Sequence, residues 1–542
     1  MGKKKATGRQ DGFAKTCSNT VSGVITAFLV ILVFLFPLIY DNSYFNILET
    51  KYKCYYMSVI GMLAVLLALA LALLVIDMNE FKGQHAARLF SALSPKNWKR
   101  TFAAPDVAVL VFWAVCLIST LQSEYVFEAF WGNEGRYSGL FLITLYVAFY
   151  FVVSRFFKVK GWILELFLIS GMVMCAIGIT DYFRMDILHF RVNIKPEQST
   201  AFTSTIGNIN TYTAYVAMIM GLAAAMFATA KSAVRSVWYY ACMVVAFFAI
   251  IMGCSDNAYL ALGAMFAFLP LILFRSRRGV VRYTAILATF ATTVQCIDVI
   301  NRVYADKVIG LDSLFNILTK FNGLPVVAAG LWALTAALYF LWLRGRGAEN
   351  DFGGKGLVMA WLALMIGALA VVCFMVFDAN VLGNGERYGS LGRYLVFNDG
   401  WGSKRGYIWR KSVELYRGFP LKHKLFGFGP DTFGIMTTEY FRSDMVESTG
   451  LIFDNAHNEY LQFLLTIGPI GLAAYLAFLI SSCRNMMKRL AANLYIAGCF
   501  IAVLCYAFQA IVNLNLPIAT PMMWLLLSVG MAAARNPKGE AV

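Results

Sequence analysis

The sequence has 542 residues, of which 60% are hydrophobic and only 14% are charged. This composition excludes a water-soluble globular protein, because so few charged residues would leave most of its surface apolar. The formal net charge of +16 does not indicate a nucleic-acid partner, since the basic residues are dispersed over short segments between apolar runs. The composition predicts a polytopic membrane protein that is surrounded by membrane lipids.

About fourteen apolar segments recur along the chain, and each is a continuous run, which indicates helices and not the strands of a barrel. The predicted fold is an all-α polytopic membrane protein with about fourteen transmembrane helices and one large loop. We divide it into residues 1–376 with about eleven spans, the loop at residues 377–457, and residues 458–542 with about three spans. The eleven cysteines contain no CxxC pair, so we predict neither a metal site nor a disulfide framework, and no cofactor.

The basic residues of the short connections predict the orientation in the membrane. Clusters such as Lys96–Arg100 and Arg275–Arg278 fall on one side when the spans are counted in alternation. Because such clusters remain on the cytoplasmic side, both termini are expected in the cytoplasm of a cell and the loop at residues 377–457 outside. The expected location is the cytoplasmic membrane, with the large loop on its extracytoplasmic face.

An earlier outer segment, Gln122–Gly139, carries Arg136 between Gly135 and Gly139. An arginine among glycines can bring its guanidinium and nearby backbone N–H groups close to an anion. A tight turn with one arginine at the membrane surface remains the alternative.

The loop from Asp378 to His457 is far longer than an ordinary connection, which indicates a functional segment. It carries ten basic residues, and so much positive charge outside suggests an anionic partner. Within it, Lys404–Tyr416 is typical of a short amphipathic helix whose Ile408, Ser412, Leu415 and Tyr416 face the membrane, leaving Arg405 and Arg410 free. The glycines at 427 and 429 indicate a turn or, alternatively, an anion-binding nest.

A helix is predicted to begin near the end of this loop. Asp454, Asn455 and Asn458 all favour helix N-caps, and the following apolar run predicts a helix to about Ser481 with a kink at Gly468-Pro469. His457 then lies at a helix N-terminus, where the helix dipole disfavours the imidazolium form and keeps the ring able to accept a proton. The alternative is that His457 only caps or anchors the helix.

Three motifs of the loop resemble a known family. They are Gly402-Ser-Lys-Arg-Gly-Tyr-Ile-Trp409, Phe426-Gly-Phe-Gly-Pro-Asp-Thr-Phe433 and Asp454-Asn-Ala-His-Asn-Glu-Tyr-Leu-Gln462, followed by Ile-Gly-Pro-Ile-Gly471. In this order and spacing they resemble the O-antigen ligase and polymerase superfamily. Gly132–Gly139 and Gly207–Asn210 are similar to other signatures of that family. Where the family often has Ser-Arg, this chain has Ser255-Asp256, so no role of that arginine is transferred.

The resemblance implies a GT-C-like glycosyltransferase. It would transfer a glycan from a polyprenyl diphosphate carrier, such as undecaprenyl diphosphate, to an acceptor hydroxyl on the outer face, without a metal, in the biosynthesis of cell-envelope polysaccharide. His457 would be the general base and Arg405 would stabilise the departing diphosphate. The further substrate-binding residues implied are Arg136, Arg410, Asn458, Glu459 and Tyr460.

Several alternatives remain open at this point. A polysaccharide polymerase or a protein O-oligosaccharyltransferase of the same superfamily would differ only in using a glycan or a protein, and not a lipid, as the acceptor. A transporter of lipid or polysaccharide would need ionisable residues along its spans, and the apolar segments contain few. A non-catalytic scaffold would use the basic loop only to dock anionic lipid or glycan.

Overall fold

The computed structural model describes residues 2–311, 314–344, 354–490 and 493–536. The helices up to residue 182 are α1 (Gly2–Val30), α2 (Phe36–Leu38), α3 (Ile47–Phe81), α4 (Gln84–Leu93), α5 (Trp98–Thr101), α6 (Ala104–Leu121), α7 (Val126–Trp131), α8 (Leu140–Phe156) and α9 (Gly161–Tyr182). The next group is α10 (Pro196–Ser199), α11 (Ile209–Thr229), α12 (Ala233–Met252), α13 (Asn257–Leu273), α14 (Arg277–Val303), α15 (Leu314–Thr319), α16 (Leu324–Leu338) and α17 (Gly354–Asn380). The last group is α18 (Gly392–Leu395), α19 (Trp401–Gly418), α20 (Leu421–Phe426), α21 (Phe433–Thr449), α22 (Glu459–Thr466), α23 (Gly468–Met487), α24 (Leu494–Gln509) and α25 (Thr520–Arg535).

Shorter elements connect or extend these helices. They are the π-helical turns Ile31–Leu35 and Tyr339–Leu343 and the 3₁₀ turns Pro95–Asn97, Ala305–Lys307, Gly385–Leu391 and Ala510–Val512. One antiparallel pair, β1 (Phe202–Thr203) and β2 (Gly207–Asn208), joins Phe202 to Asn208 and Thr203 to Gly207. The predicted helical class is therefore confirmed, with almost no sheet in the described residues.

Eleven helices of the described residues are long and apolar enough to cross a membrane. Two more apolar helices, α8 and α13, are shorter. The multi-pass membrane architecture predicted from composition is confirmed, while the count of fourteen spans stays a prediction. The individual spans differ greatly in their surroundings. The apolar window of α11 is 94% buried inside the protein, whereas none of the corresponding window of α17 is buried.

One end of the bundle contains a cluster of ion pairs centred on Asp106, in the first turn of α6. Its carboxylate pairs with Arg155 at 3.0 Å and with Arg535 at 2.5 Å, and it accepts a hydrogen bond from the hydroxyl of Tyr150 at 2.9 Å. These partners come from α8 and α25, so one carboxylate joins three helices that are distant in sequence. Near the other end of α6, the hydroxyl of Ser119 donates to Thr466 O, at the end of α22. The hydroxyl of Ser123, just after α6, donates to Phe428 O.

The large loop has a hydrophobic core of its own. Its buried members are Tyr407, Ile408, Leu415, Phe419, Phe428, Phe433, Met436, Met445, Phe453, Ala456 and Leu465. The prediction that Ile408, Ser412 and Leu415 face the membrane is therefore wrong, because all three are buried within the loop. The amphipathic pattern correctly predicts a helix with one buried face, but the partner that covers this face is another part of the loop.

Candidate active site

The short helix α22 positions the histidine motif. Asn458 is its N-cap, and the Asn458 side chain accepts hydrogen bonds from the N–H groups of Tyr460 and Leu461, both at 3.0 Å. The predicted kink is a complete break: α22 ends at Thr466 and α23 begins at Gly468, whose φ is +70°. A Cβ atom at Gly468 would lie 2.1 Å from the carbonyl oxygen of Leu425, so only glycine fits there.

The glycine-rich turn at Gly427–Gly429 docks onto the end of α22. The N–H of Phe428 donates to Leu465 O at 3.2 Å, and the N–H of Gly429 donates to Thr466 O at 2.8 Å. These are carbonyl groups at a helix C-terminus, which have no partner within the helix. Of the two alternatives, a nest for anions and a structural turn, the turn agrees with these contacts, because these N–H groups already have acceptors.

His457 lies immediately before the N-cap in a left-handed backbone conformation, with φ of 49°. Its N–H donates to Asn455 Oδ1 at 2.9 Å, and the preceding carbonyl, that of Ala456, accepts from the indole N–H of Trp409 at 2.9 Å. In the described part of the chain no group hydrogen-bonds the imidazole ring. Its nitrogen atoms are thus left for a substrate, and the backbone on both sides of the residue is held.

The surroundings of His457 keep its ring neutral. Burial, together with the positive charges of Arg405 and Arg136, lowers the pKa of His457 to about 4, and the negative charge of Asp454 partly opposes this shift. An imidazole with this pKa is neutral near pH 7 and can accept a proton. The same effect shows that the structure brings Arg405 and Arg136, which are far apart in sequence, to the same histidine.

Arg405 is buried at the beginning of the regular part of α19. The three residues before it, Gly402 to Lys404, all have positive φ values between 58° and 72°. One N–H of Arg405 donates to Gly402 O at 2.9 Å, but the buried Nε has no hydrogen-bond partner, and no ion pair involves this guanidinium among the residues that the structure describes. Because buried polar groups are nearly always satisfied, this guanidinium is a candidate to bind an anion.

The negative charge of Asp256 acts on Arg405. Burial lowers the pKa of Arg405, and the negative charge of Asp256 raises it. The turn that contains Asp256 is joined to α11, since Ser255 Oγ donates to Asn210 Oδ1 at 2.5 Å and the side chain of Asn257 donates to Asn210 O at 2.8 Å. The Gly207–Asn210 segment and the Ser255–Asn257 turn, both compared with the family in the sequence, thus lie together beside the site.

Arg136 is held at the site by an ion pair with Asp454, a partner that was not predicted from the sequence. Its guanidinium forms two hydrogen bonds to Asp454, at 2.9 and 2.6 Å. Asp431 holds the loop that carries Arg136, since its Oδ2 accepts from the N–H groups of Asn133 at 2.8 Å and Ser138 at 2.9 Å. Burial raises the pKa of Asp431 to about 7. In the sequence, Asp431 and Asp454 lie within the family motifs, but no role was predicted for Asp431, and Asp454 was predicted only as a possible helix cap.

Arg410 has a different environment from Arg405, although both lie on α19. Its guanidinium forms two hydrogen bonds to Asp399, at 2.9 and 2.7 Å, and both side chains are about half exposed. It also lies over the ring of Tyr407, 5.4 Å from the ring centre. No hydrogen bond in the described residues joins Arg410 to His457 or Arg405, and its predicted contact with substrate stays a prediction.

The other predicted substrate-binding residues hold α22 in place. The buried carboxylate of Glu459 accepts from the hydroxyl groups of Tyr475 at 2.6 Å and Tyr506 at 3.0 Å. The hydroxyl of Tyr460 donates to Ala507 O at 2.6 Å, and Asn458 is the helix cap. These contacts fasten α22 to α23 and α24. Direct contact of Asn458, Glu459 and Tyr460 with the substrate stays a prediction.

Comparison with known proteins identifies a family for one part of the chain. Residues 313–476 match a family model described as O-antigen ligase, a range that includes Arg405, Arg410 and His457 but not Arg136. No curated protein matches the chain. Within the described residues, no group of three or more His, Cys, Asp or Glu side chains could hold a metal ion. The matched part of the chain belongs to the O-antigen ligase superfamily.

Proposed function

We propose that this membrane enzyme is a glycosyltransferase that moves a glycan from a polyprenyl diphosphate carrier to an acceptor hydroxyl on the extracytoplasmic face of the cytoplasmic membrane. The observation that carries the proposal is a neutral histidine, His457, beside the buried guanidinium of Arg405, which has N–H groups available for an anion. A general base and an anion site are the two groups that such a transfer requires.

In the proposed reaction the acceptor oxygen forms a bond to the anomeric carbon of the donor sugar. His457 takes the proton of the acceptor hydroxyl as the new bond forms. The bond between the anomeric carbon and the diphosphate oxygen breaks, and the diphosphate leaves with the electron pair. Arg405 stabilises that negative charge by planar, charge-assisted hydrogen bonds, so positive side chains supply the stabilisation in a reaction that we propose to be independent of metal.

We propose secondary roles for the remaining residues. Arg136 adds positive potential near the diphosphate while its bond to Asp454 limits the position of the histidine motif. Asn458, Glu459 and Tyr460 keep α22 oriented toward the substrate, and Arg410 contributes from the rim of the site. A lipid, glycan or protein acceptor is compatible with this chemistry. The ligase, polymerase and protein-transferase alternatives therefore differ in their products, which mass spectrometry of the glycosylated acceptor would distinguish.

The decisive experiment compares purified wild-type protein with His457→Ala and His457→Asn. The asparagine variant is included because asparagine tolerates the left-handed backbone that His457 adopts. Lipid-linked glycan extracted from the source cells is the donor, and both its binding and the release of polyprenyl diphosphate are measured. We expect both variants to bind donor but to transfer glycan at least roughly a hundredfold more slowly.

His189→Asn is the matched control, because His189 is exposed, lies in another outer segment and has a similar φ of 54°. It should transfer glycan at the wild-type rate. Normal transfer by a folded His457→Asn protein would contradict the proposal and favour the scaffold alternative, in which the loop only docks anionic molecules.

The proposed orientation has a separate test. Arg417 and Lys96 are both exposed, and the topology puts them on opposite sides of the membrane. In a cysteine-free background, a cysteine at position 417 should react with an impermeant reagent in intact cells, and a cysteine at position 96 should react only after lysis. The reverse labelling pattern would invert the topology and exclude an outer active site.

A further inference from the structure

Three aromatic side chains, Phe397, Trp401 and Trp409, form an aromatic patch on the surface of the large loop. Their ring centres are 5.5 Å apart for Phe397 and Trp401, 5.2 Å for Trp401 and Trp409, and 6.1 Å for Phe397 and Trp409. Phe397 is 47% exposed, and the two tryptophans are partly exposed. Neither Phe397 nor Trp401 belongs to the hydrophobic core of the loop, so packing alone does not account for the patch.

The patch is fixed in position by the polar atoms of its own tryptophans. The indole N–H of Trp401 donates to Tyr394 O at 3.0 Å, and that of Trp409 donates to Ala456 O at 2.9 Å. The backbone of Asn398 packs so closely on α19 that a Cβ at Gly406 would lie 1.8 Å from its carbonyl oxygen. Both indole N–H groups are thus used internally, and what the patch offers to a ligand is ring surface.

The location of the patch relates it to the active site. Ala456, which Trp409 holds, is the residue immediately before His457, and Trp401 lies four residues before Arg405 on the same helix. A polar edge is formed by residues next to the patch in the sequence: the exposed Asn398 follows Phe397, and the half-exposed pair of Asp399 and Arg410 includes the residue after Trp409. Aromatic rings bordered by carboxylate, amide and guanidinium groups differ from the purely apolar surface that lipid chains would cover.

We propose that the aromatic patch binds a sugar ring of the donor glycan, an inference that rests on the proposed function. The C–H groups on one face of a pyranose carry partial positive charge and pack against the negative face of an aromatic ring. The hydroxyl groups around the same sugar ring can hydrogen-bond to the polar edge formed by Asp399 and Arg410. The patch would thus hold the glycan while Arg405 holds the diphosphate, which places the anomeric carbon between them.

The test uses two ligands, polyprenyl diphosphate without sugar and the lipid-linked glycan extracted from the source cells. Phe397→Ala should weaken binding of the lipid-linked glycan roughly three- to tenfold and leave binding of the bare polyprenyl diphosphate unchanged, the size expected for one aromatic contact. Phe397→Tyr should restore the wild-type affinity. A purely structural defect would weaken both ligands equally, so this selectivity separates recognition from folding.

Tyr440→Ala is the matched control, because Tyr440 is 57% exposed on α21 of the same loop but is not part of the patch. Equal binding of the lipid-linked glycan by Phe397→Ala and wild type, or equal weakening of both ligands, would overturn the inference. Arg405→Ala should weaken both ligands in every case. If Arg405→Ala and His457→Asn both retain full transfer, the proposed function itself fails, which is a different outcome from failure of the patch alone.

Discussion

Two groups of charged residues lie near opposite ends of α6, one around Asp106 and one around His457, and they differ in how their arginines are paired. Around Asp106 both carboxylate oxygens are used, since Oδ1 accepts from Arg535 and Tyr150 and Oδ2 accepts from Arg155 and a backbone N–H. Around His457, the buried Nε of Arg405 and the imidazole ring have no hydrogen-bond partners in the described residues. The Asp106 carboxylate therefore joins three helices, although the Nε of Arg155 in this cluster is also buried without a hydrogen-bond partner. Arg405 differs from Arg155 in having no ion pair in the described residues, which leaves its guanidinium for a substrate.

Solvent exposure also differs between the two groups. In the Asp106 cluster the side chains of Arg155 and Arg535 are 21% and 24% exposed, so water reaches the excess charge. Arg405 is 9% exposed and lacks an ion pair in the described part of the chain. Asp256 raises the pKa of Arg405 without forming an ion pair with it in these residues, so an incoming diphosphate would supply a directly paired anion.

Besides the His457 variants, the largest expected effect on activity is that of Arg405→Lys. Lysine retains the charge but lacks the planar fork with several N–H groups, so we expect transfer to fall roughly a hundredfold. The rate of polyprenyl diphosphate release measures this effect. Arg442→Lys, at an exposed position on α21, is the control and should behave as wild type. Full activity of Arg405→Lys would mean that only general positive charge matters.

A large effect on stability, without one on chemistry, is expected for Asp106→Ala. The substitution leaves two partly buried arginines without their carboxylate, and the free energy of unfolding should fall by about 3–5 kcal/mol. Denaturation of the detergent-solubilised protein measures the loss. Asp298→Ala, which removes a pair with the exposed Arg302 on a single helix, should cost less than about 1 kcal/mol. A lower transfer rate per folded molecule of Asp106→Ala would contradict the purely structural role.

The pH dependence of transfer should change moderately and in a defined direction. Protonated His457 cannot act as base, so kcat/KM should fall about tenfold for each pH unit below its pKa. That pKa is lowered to about 4 in the free enzyme, well below the ordinary value for histidine, because burial and the neighbouring arginines disfavour the imidazolium form. Bound diphosphate is negative and raises the pKa, so the acid limb of kcat should lie at higher pH than that of kcat/KM. Limbs at the same pH would indicate that the diphosphate binds away from His457.

The smallest effect is expected for Arg410→Ala. Arg410 pairs with Asp399 at a half-exposed position, and such pairs contribute about 0–1 kcal/mol. Transfer should therefore remain within about fivefold of wild type. The double variant with Asp399→Ala should be no worse than either single variant. A loss as large as that of Arg405→Lys would show that Arg410 also binds the diphosphate.

Local sequence patterns predicted local structure well. The N-cap at Asn458, the interruption at Gly468-Pro469 and a helix over Lys404–Tyr416 all follow from the intrinsic preferences of those residues, and the structure confirms them. The residues around His457 were predicted through the family resemblance and not through periodicity. Their roles in catalysis remain proposals.

Contacts between distant segments could not be predicted in the same way. Two such contacts are the ion pair of Arg136 with Asp454 and the hydrogen bond from Ser138 N–H to Asp431. Each joins residues about three hundred positions apart, and no local preference encodes such a partner. For the same reason the apolar face of α19 was wrongly predicted to face the membrane, although it packs inside the loop. Its period shows that one face is buried, but apolar residues pack equally well against lipid or against the rest of the loop.

The joint between the glycine-rich turn and α22 has a consequence for how such enzymes can change. It consists of backbone hydrogen bonds and of two glycines, Gly427 and Gly468, at which a Cβ atom would lie 2.2 Å from the carbonyl carbon of Thr466 and 2.1 Å from the carbonyl oxygen of Leu425. The hydroxyl groups of Ser119 and Ser123 also donate to it, at Thr466 O and Phe428 O. Segments of the loop distant from this joint can therefore be lengthened or exchanged while α22 keeps its place. The large loop then behaves as an exchangeable module, and under the proposed function new acceptors could be acquired without rebuilding the membrane-embedded bundle.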